Sequence, residues 1–158
     1  MPAPVILTIG PVTVTFTWSG DRWSHRVTLA DGGAWDSLEG PRPEDGDGRW
    51  PASPVLVELS RIETALGPAI LGVGLAGRSH FSASIGPDPA GSPGVRFEIA
   101  CRCHEGPLWL GSTYRGPAGI ETIRPAAAPS PPATVQWAYT FAAAGLAACD
   151  RTGNRSDS

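Results

Sequence analysis

The chain is 158 residues long, enough for one domain, and its 20 glycines and 17 prolines, about twice the usual share for the pair, exclude long uninterrupted helices. Hydrophobic residues at 41% against charged residues at 17% supply a core that needs no disulfide or metal staple. Fifteen acids against twelve basic residues give a formal charge of −3; every basic residue is arginine, and none cluster into a stripe that would track phosphates, so nucleic acid is excluded as the expected partner.

The opening segment, MPAPVILTIGPV, lacks a basic start and a long apolar stretch, and no run of about 18 apolar residues occurs, so a cytoplasmic chain with no membrane partner is expected. From Val12 to Trp18, alternate residues Val12, Val14, Phe16 and Trp18 share one face while threonines take the other. After Ser19-Gly20-Asp21-Arg22 the alternation resumes with Trp23, His25, Val27 and Leu29. This predicts an antiparallel hairpin with Trp18 opposite Trp23, Phe16 opposite His25, Val14 opposite Val27 and Val12 opposite Leu29. His25 thereby falls on the apolar face, the setting of a buried neutral imidazole with one hydrogen-bonded nitrogen.

Residues 31–54 read as an irregular excursion rich in glycine and proline, with a short strand at Ala34 to Leu38. Strands are predicted at Val55 to Leu59 and at Ala69 to Leu75, the second so continuously apolar that it reads as central. A second hairpin follows. Its first arm sets Ser79, Phe81, Ala83 and Ile85 against Arg78, His80, Ser82 and Ser84; its second sets Val95, Phe97, Ile99, Cys101 and Cys103 against Arg96, Glu98, Ala100 and Arg102. Shorter strands are predicted at Leu108 to Tyr114 and Ile120 to Ile123, and a clean one at Thr134 to Phe141. The piece from Ala142 to Ala148 forms a helical turn or lengthens the last strand. Many short strands without a credible helix predict an all-β fold, an antiparallel β-sandwich with a closed or partly closed β-barrel as the alternative. One domain is expected over residues 1–142, with a Pro/Ala-rich spacer at 125–132 before the last strand and a disordered tail at 151–158.

Gly72-Val-Gly74-Leu-Ala-Gly77 matches the dinucleotide fingerprint in letters, but strand-like alternation follows where the phosphate-binding helix belongs. Close packing at Gly72 and Gly74 explains the glycines instead. Cys101 and Cys103 point to one side of a strand and His104 to the other, so they do not converge on a metal, and none is expected. Three cysteines with no framework spacing fit a reducing compartment, where the sequon at Asn154 has no role. The acidic loop Glu44-Asp45-Gly46-Asp47-Gly48 lacks the later ligands of a calcium loop. Of the six tryptophans, Trp18, Trp23 and Trp137 are in phase with the core, while Trp35, Trp50 and Trp109 stand near loops where they are free to stack on sugars.

The polar face of the second hairpin is the candidate site. A register with Ser84 beside Arg96, Ser82 beside Glu98, His80 beside Ala100 and Arg78 beside Arg102 gathers ligand-binding candidates Arg78, His80, Ser82, Arg96, Glu98 and Arg102, suited to an anion. His80 is the catalytic candidate, with Ser82 or Ser84 and Glu98 as the groups a hydrolytic relay requires.

At Trp50-Pro-Ala-Ser-Pro54, Gly72 to Ile85, Phe97 to Arg102 and Trp109 to Arg115, the chain resembles small uncharacterised proteins of planctomycete-type bacteria, over about half its length. The resemblance implies that the region from Gly72 to Arg115 is the part such proteins share, and it carries no activity or site residue. The expected function is a small non-enzymatic binding or interaction module, its ligand anionic or a carbohydrate, without a cofactor. The alternatives are an enzyme using His80 with Arg78, Arg102 or Glu98, and a structural homo-oligomer made by edge-strand pairing.

Overall fold

The computed structural model describes residues 2–40, 51–104, 109–126 and 130–149. The acidic loop, Trp50, part of the 125–132 spacer and the 151–158 tail lie outside them. Among the described residues twelve strands form two six-stranded antiparallel sheets that face each other without closing into a barrel. The first sheet holds, in spatial order, β1 (Val5–Ile9), β2 (Val12–Trp18), β3 (Trp23–Leu29), β4 (Ala34–Ser37), β9 (Ser112–Gly116) and β10 (Gly119–Ile123). The second holds β12 (Gly145–Ala148), β11 (Ala133–Ala142), β8 (Gly94–Cys103), β7 (Ser79–Pro87), β6 (Gly67–Ala76) and β5 (Glu58–Thr64).

Period-two patterning sets the faces. Val12, Val14, Phe16, Trp23, His25 and Val27 point inward from the first sheet, and Phe81, Ile85, Val95, Phe97, Ile99, Val135, Trp137, Tyr139 and Phe141 point inward from the second. Burying each large apolar side chain contributes roughly 1.5–3 kcal/mol. The β2/β3 register is the predicted one at every position, Trp18 on Trp23 through Val12 on Leu29. An aromatic stack crosses the interior: the His25 ring lies on Phe97 with centroids 5.4 Å apart, and Phe97 lies on Tyr139 at 5.0 Å.

Several boundaries differ from the prediction. Val5–Ile9 forms an edge strand that patterning did not single out. Val55 and Leu56 are buried but belong to no strand; the strand begins at Glu58 and runs to Thr64. The predicted strand at Ala69 to Leu75 lies next to the sheet edge, not at its centre. The chain also continues past 142 into β12, which turns back on β11 with Phe141 opposite Leu146.

The segment 51–57 explains the displaced strand. Pro51 through Leu56 are all buried, and the segment ties the sheets together: the Trp23 N–H donates to the Leu56 carbonyl at 2.8 Å, and the Val57 N–H donates to the Val73 carbonyl at 2.7 Å. The Ser53 hydroxyl donates to the Thr113 carbonyl and accepts from the Thr113 N–H, each at 3.1 Å. It passes over Gly74, where a Cβ would overlap the Val55 carbonyl, and Gly72, where one would stand 3.1 Å from the Leu56 and Leu59 methyl groups. The glycines of the fingerprint-like run are therefore packing glycines.

Candidate functional site

The outward face of the second sheet carries the predicted polar residues, in a register two residues from the predicted one. His80 lies opposite Arg102, Ser82 opposite Ala100, Ser84 opposite Glu98 and Gly86 opposite Arg96. The loop between the arms leaves register free, whereas alternation fixes which face each residue takes, so an even slip preserves the face.

The shift divides the six candidates. His80, Ser82 and Arg102 line a trough of about 490 Å³, whose remaining walls are Val57, Glu58, Val73, Gly74, Leu75, Phe81, Ala100 and Thr134. Arg96 and Glu98 line a separate, smaller concavity of about 190 Å³ nearer the other end of the strands. There the Arg96 Nε donates to Glu98 Oε1 at 2.8 Å, and a guanidinium N–H points at the Cys149 sulfur at 3.5 Å. Arg78 precedes β7 and lines neither.

Side-chain size hollows the trough. Ser82 and Ala100 form its floor at the middle of β7 and β8, while Val73 and Leu75 of β6 and Val57 before β5 stand up on one side. These walls are exposed hydrophobics, Val57 at 41%, Val73 at 48% and Leu75 at 54% of full accessibility, and Leu71 continues the row. On the other side stand Arg102 and Thr134, with Arg102 Nη1 donating to the Thr134 hydroxyl at a long 3.4 Å, and His80 stands at one end between Leu75 and Arg102. His104 extends this rim, its ring edge-on to His80 at 5.9 Å. Glu58 is the one acid of the lining. The sequence marks the polar rim but not the walls, because the run bearing Val73 and Leu75 is so continuously apolar that it reads as central, and Val57 falls in a separate apolar run.

The relay that hydrolysis requires is not assembled here. Among the described residues His80 makes no hydrogen bond to Ser82, Ser84 or Glu98, and Glu98 sits opposite Ser84, four residues or about 13 Å along the strand from His80.

A second group of polar side chains lies in the core. His25 Nε2 is 2.6 Å from the Tyr114 hydroxyl, which is 2.7 Å from the Tyr139 hydroxyl; beside them the Trp137 indole donates to Ser112 at 2.9 Å. His25 Nδ1 has no hydrogen-bond partner, and burial holds the imidazole down to about 3, so it is neutral. Burial likewise pushes both tyrosines above their ordinary range. This matches the buried neutral histidine read from the hairpin, and it is closed to solvent. Burial also raises the Glu39 carboxyl to about 7, with the Ser37 hydroxyl and Arg22 pulling the other way.

Cys101 and Cys103 lie in the core with their sulfurs 3.7 Å apart. Among the described residues no three histidine, cysteine or acidic side chains gather as metal ligands. No described helix is long and apolar enough to cross a membrane. Trp23, Trp35, Trp109 and Trp137 are buried and Trp18 half-buried, so the described tryptophans offer no open stacking platform. Comparison of the chain with protein-family models, curated proteins and solved structures finds no match.

Proposed function

We propose that this protein is a non-enzymatic binding module whose trough on the second sheet takes a small amphipathic anion, a carboxylate with an apolar body. The observation that carries the reading is the lining: apolar walls from Val57, Val73 and Leu75 together with a polar rim that holds Arg102 and His80. A volume of about 490 Å³ falls in the range of small-molecule pockets. The apolar walls favour a hydrocarbon or aromatic body, and the planar guanidinium favours a carboxylate head. Glu58 on the opposite rim repels a second negative charge and so sets the ligand's direction. Carbohydrate is the poorer fit, because the described tryptophans are spent on the core.

Calorimetry with octanoate and 3-phenylpropionate, each against its neutral amide, tests the reading. The carboxylates should bind, the amides about tenfold more weakly, and Arg102→Gln should remove that difference. No binding of any of the four, or discrimination unchanged in the Arg102 variant, would sink the proposal.

A further inference from the structure

Each sheet has two open edges, and among the described residues no strand lies beyond β1, β5, β10 or β12. An open edge offers a row of backbone donors and acceptors, and natural edges are blunted to prevent pairing. Three of the four are poor seams. β1 carries no charged side chain to select a register and is bracketed by Pro4 and Pro11, which have no N–H. β10 has Glu121 at its centre, so self-pairing there opposes two carboxylates, and this carboxylate already accepts the Trp35 indole N–H at 2.7 Å. β12 is four residues long and uncharged.

β5 differs, because it carries both signs of charge in an order that is complementary to itself. Its sequence is Glu58-Leu-Ser-Arg-Ile-Glu-Thr64, exposed throughout except for half-buried Leu59. Two copies joined antiparallel must keep their inner and outer faces aligned, so only residues of equal parity can sit opposite one another. That leaves few central registers. Centring on Arg61 places two guanidinium groups face to face, and centring on Glu63 places two carboxylates so. Centring on Ser60 sets Arg61 against Leu59 and Glu58 against Ile62. Centring on Ile62 sets Arg61 against Glu63 twice, Ser60 against Thr64 twice, and Ile62, 37% exposed in the single chain, against its own copy. Opposite charges directly across a strand pair stabilise it and like charges destabilise it, so one register is selected.

We infer that the protein self-associates through β5, in the register centred on Ile62, with a second copy of this chain as the partner. The result is a continuous sheet of twelve strands, six from each copy. Arg61 donates through Nη1 to the Ile6 carbonyl at 2.8 Å, which steadies the side chain at the edge and leaves the rest of its five N–H donors for the partner's carboxylate. Because the two-fold axis is normal to the sheet, both troughs open on the same face, and this inference does not depend on what they bind. A seam of seven residues suits a reversible dimer of micromolar strength.

Sedimentation velocity on the intact chain, from about 1 to about 500 µM, tests it. The expected mass rises from 16.4 kDa toward twice that value. Arg61→Glu and Glu63→Arg should each weaken the dimer about tenfold or more, and the double reversal should restore it to within about threefold, since opposite charges again face each other. Both side chains are exposed, and thermal melts of each variant confirm that the fold persists. As a second measurement, Ile62→Cys in a Cys149→Ser background should form a disulfide-linked dimer on mild oxidation. Ser60→Cys should not, its copy lying about 13 Å away in this register. A monomer at every concentration, a dimer indifferent to both single reversals, a double reversal that fails to restore it, or equal cross-linking at both positions overturns the inference.

Discussion

The Tyr114 hydroxyl is the shared member of a core hydrogen-bond chain, 2.6 Å from His25 Nε2 on the neighbouring part of its own sheet and 2.7 Å from the Tyr139 hydroxyl on the other. Removing it leaves the His25 ring, whose Nδ1 already lacks a partner, with no hydrogen bond and leaves the Tyr139 hydroxyl only Ser112, whereas removing the Tyr139 hydroxyl leaves Tyr114 its bond to His25. Tyr114→Phe should therefore cost about 2–4 kcal/mol and Tyr139→Phe about 1–2, with the double variant less than additive. Urea denaturation measures all three, and equal costs for the two single variants would show that the chain does not act as a unit.

Two ionisable groups, the buried His25 and the half-buried Glu39, bend the stability profile in opposite directions. The folded imidazole of His25 stays neutral down to about 3, while the unfolded one takes its proton near 6.5. Acidification from 6.5 to 4 therefore removes about 3 kcal/mol of stability. Glu39 works the other way: below 4.5 its carboxyl is protonated in both states, and between 4.5 and about 7 only the unfolded carboxyl ionises. Stability falls by about 3 kcal/mol over that interval and stays level above it. Glu39→Gln should remove the loss toward neutral pH, and His25→Phe should flatten the acid limb. Chemical denaturation at unit pH steps reads both slopes; an unchanged profile in either variant would refute its assignment.

How far the sequence carried depended on what each element uses to fix itself. The four-residue link Ser19 to Arg22 sets the β2/β3 register, and alternation then places all seven pairs as predicted. The β7/β8 arms alternate as clearly, but the residues between them leave the offset open, so faces were legible and partners were not. Val55 and Leu56 read as strand because they are apolar, yet they are buried by crossing Gly72 and Gly74 outside any ladder. The rim of the trough, His80 and Arg102, was visible as a polar face. Its hollow was not, since it arises from small side chains on β7 and β8 beside large ones on β6, which only the pairing brings together.

The same crossing separates two glycines that look equivalent in sequence. A Cβ at Gly74 meets the rigid Val55 backbone carbonyl, whereas one at Gly72 meets the flexible ends of Leu56 and Leu59 at 3.1 Å. Gly74→Ala should cost more than about 3 kcal/mol and loosen the 51–57 segment, while Gly72→Ala should cost about 1. Thermal melts rank the pair, with proteolysis near residue 55 reporting the segment. Equal tolerance of both substitutions would contradict the close approach at Gly74.

Filling the trough separates binding from folding. Ala100 lies on its floor, on the outward face of β8, so a larger side chain there projects into the hollow and away from the core. Ala138 of β11 also faces outward, opposite Glu98, and lines neither concavity. Ala100→Phe should abolish carboxylate binding while changing stability by about 0.5 kcal/mol or less; Ala138→Phe should leave both nearly unchanged. Calorimetry with octanoate, paired with denaturation of each variant, distinguishes the cases. Undiminished binding in Ala100→Phe would place the ligand elsewhere on the molecule, because a phenyl ring and an apolar ligand body compete for the same space between Val73, Leu75 and Arg102.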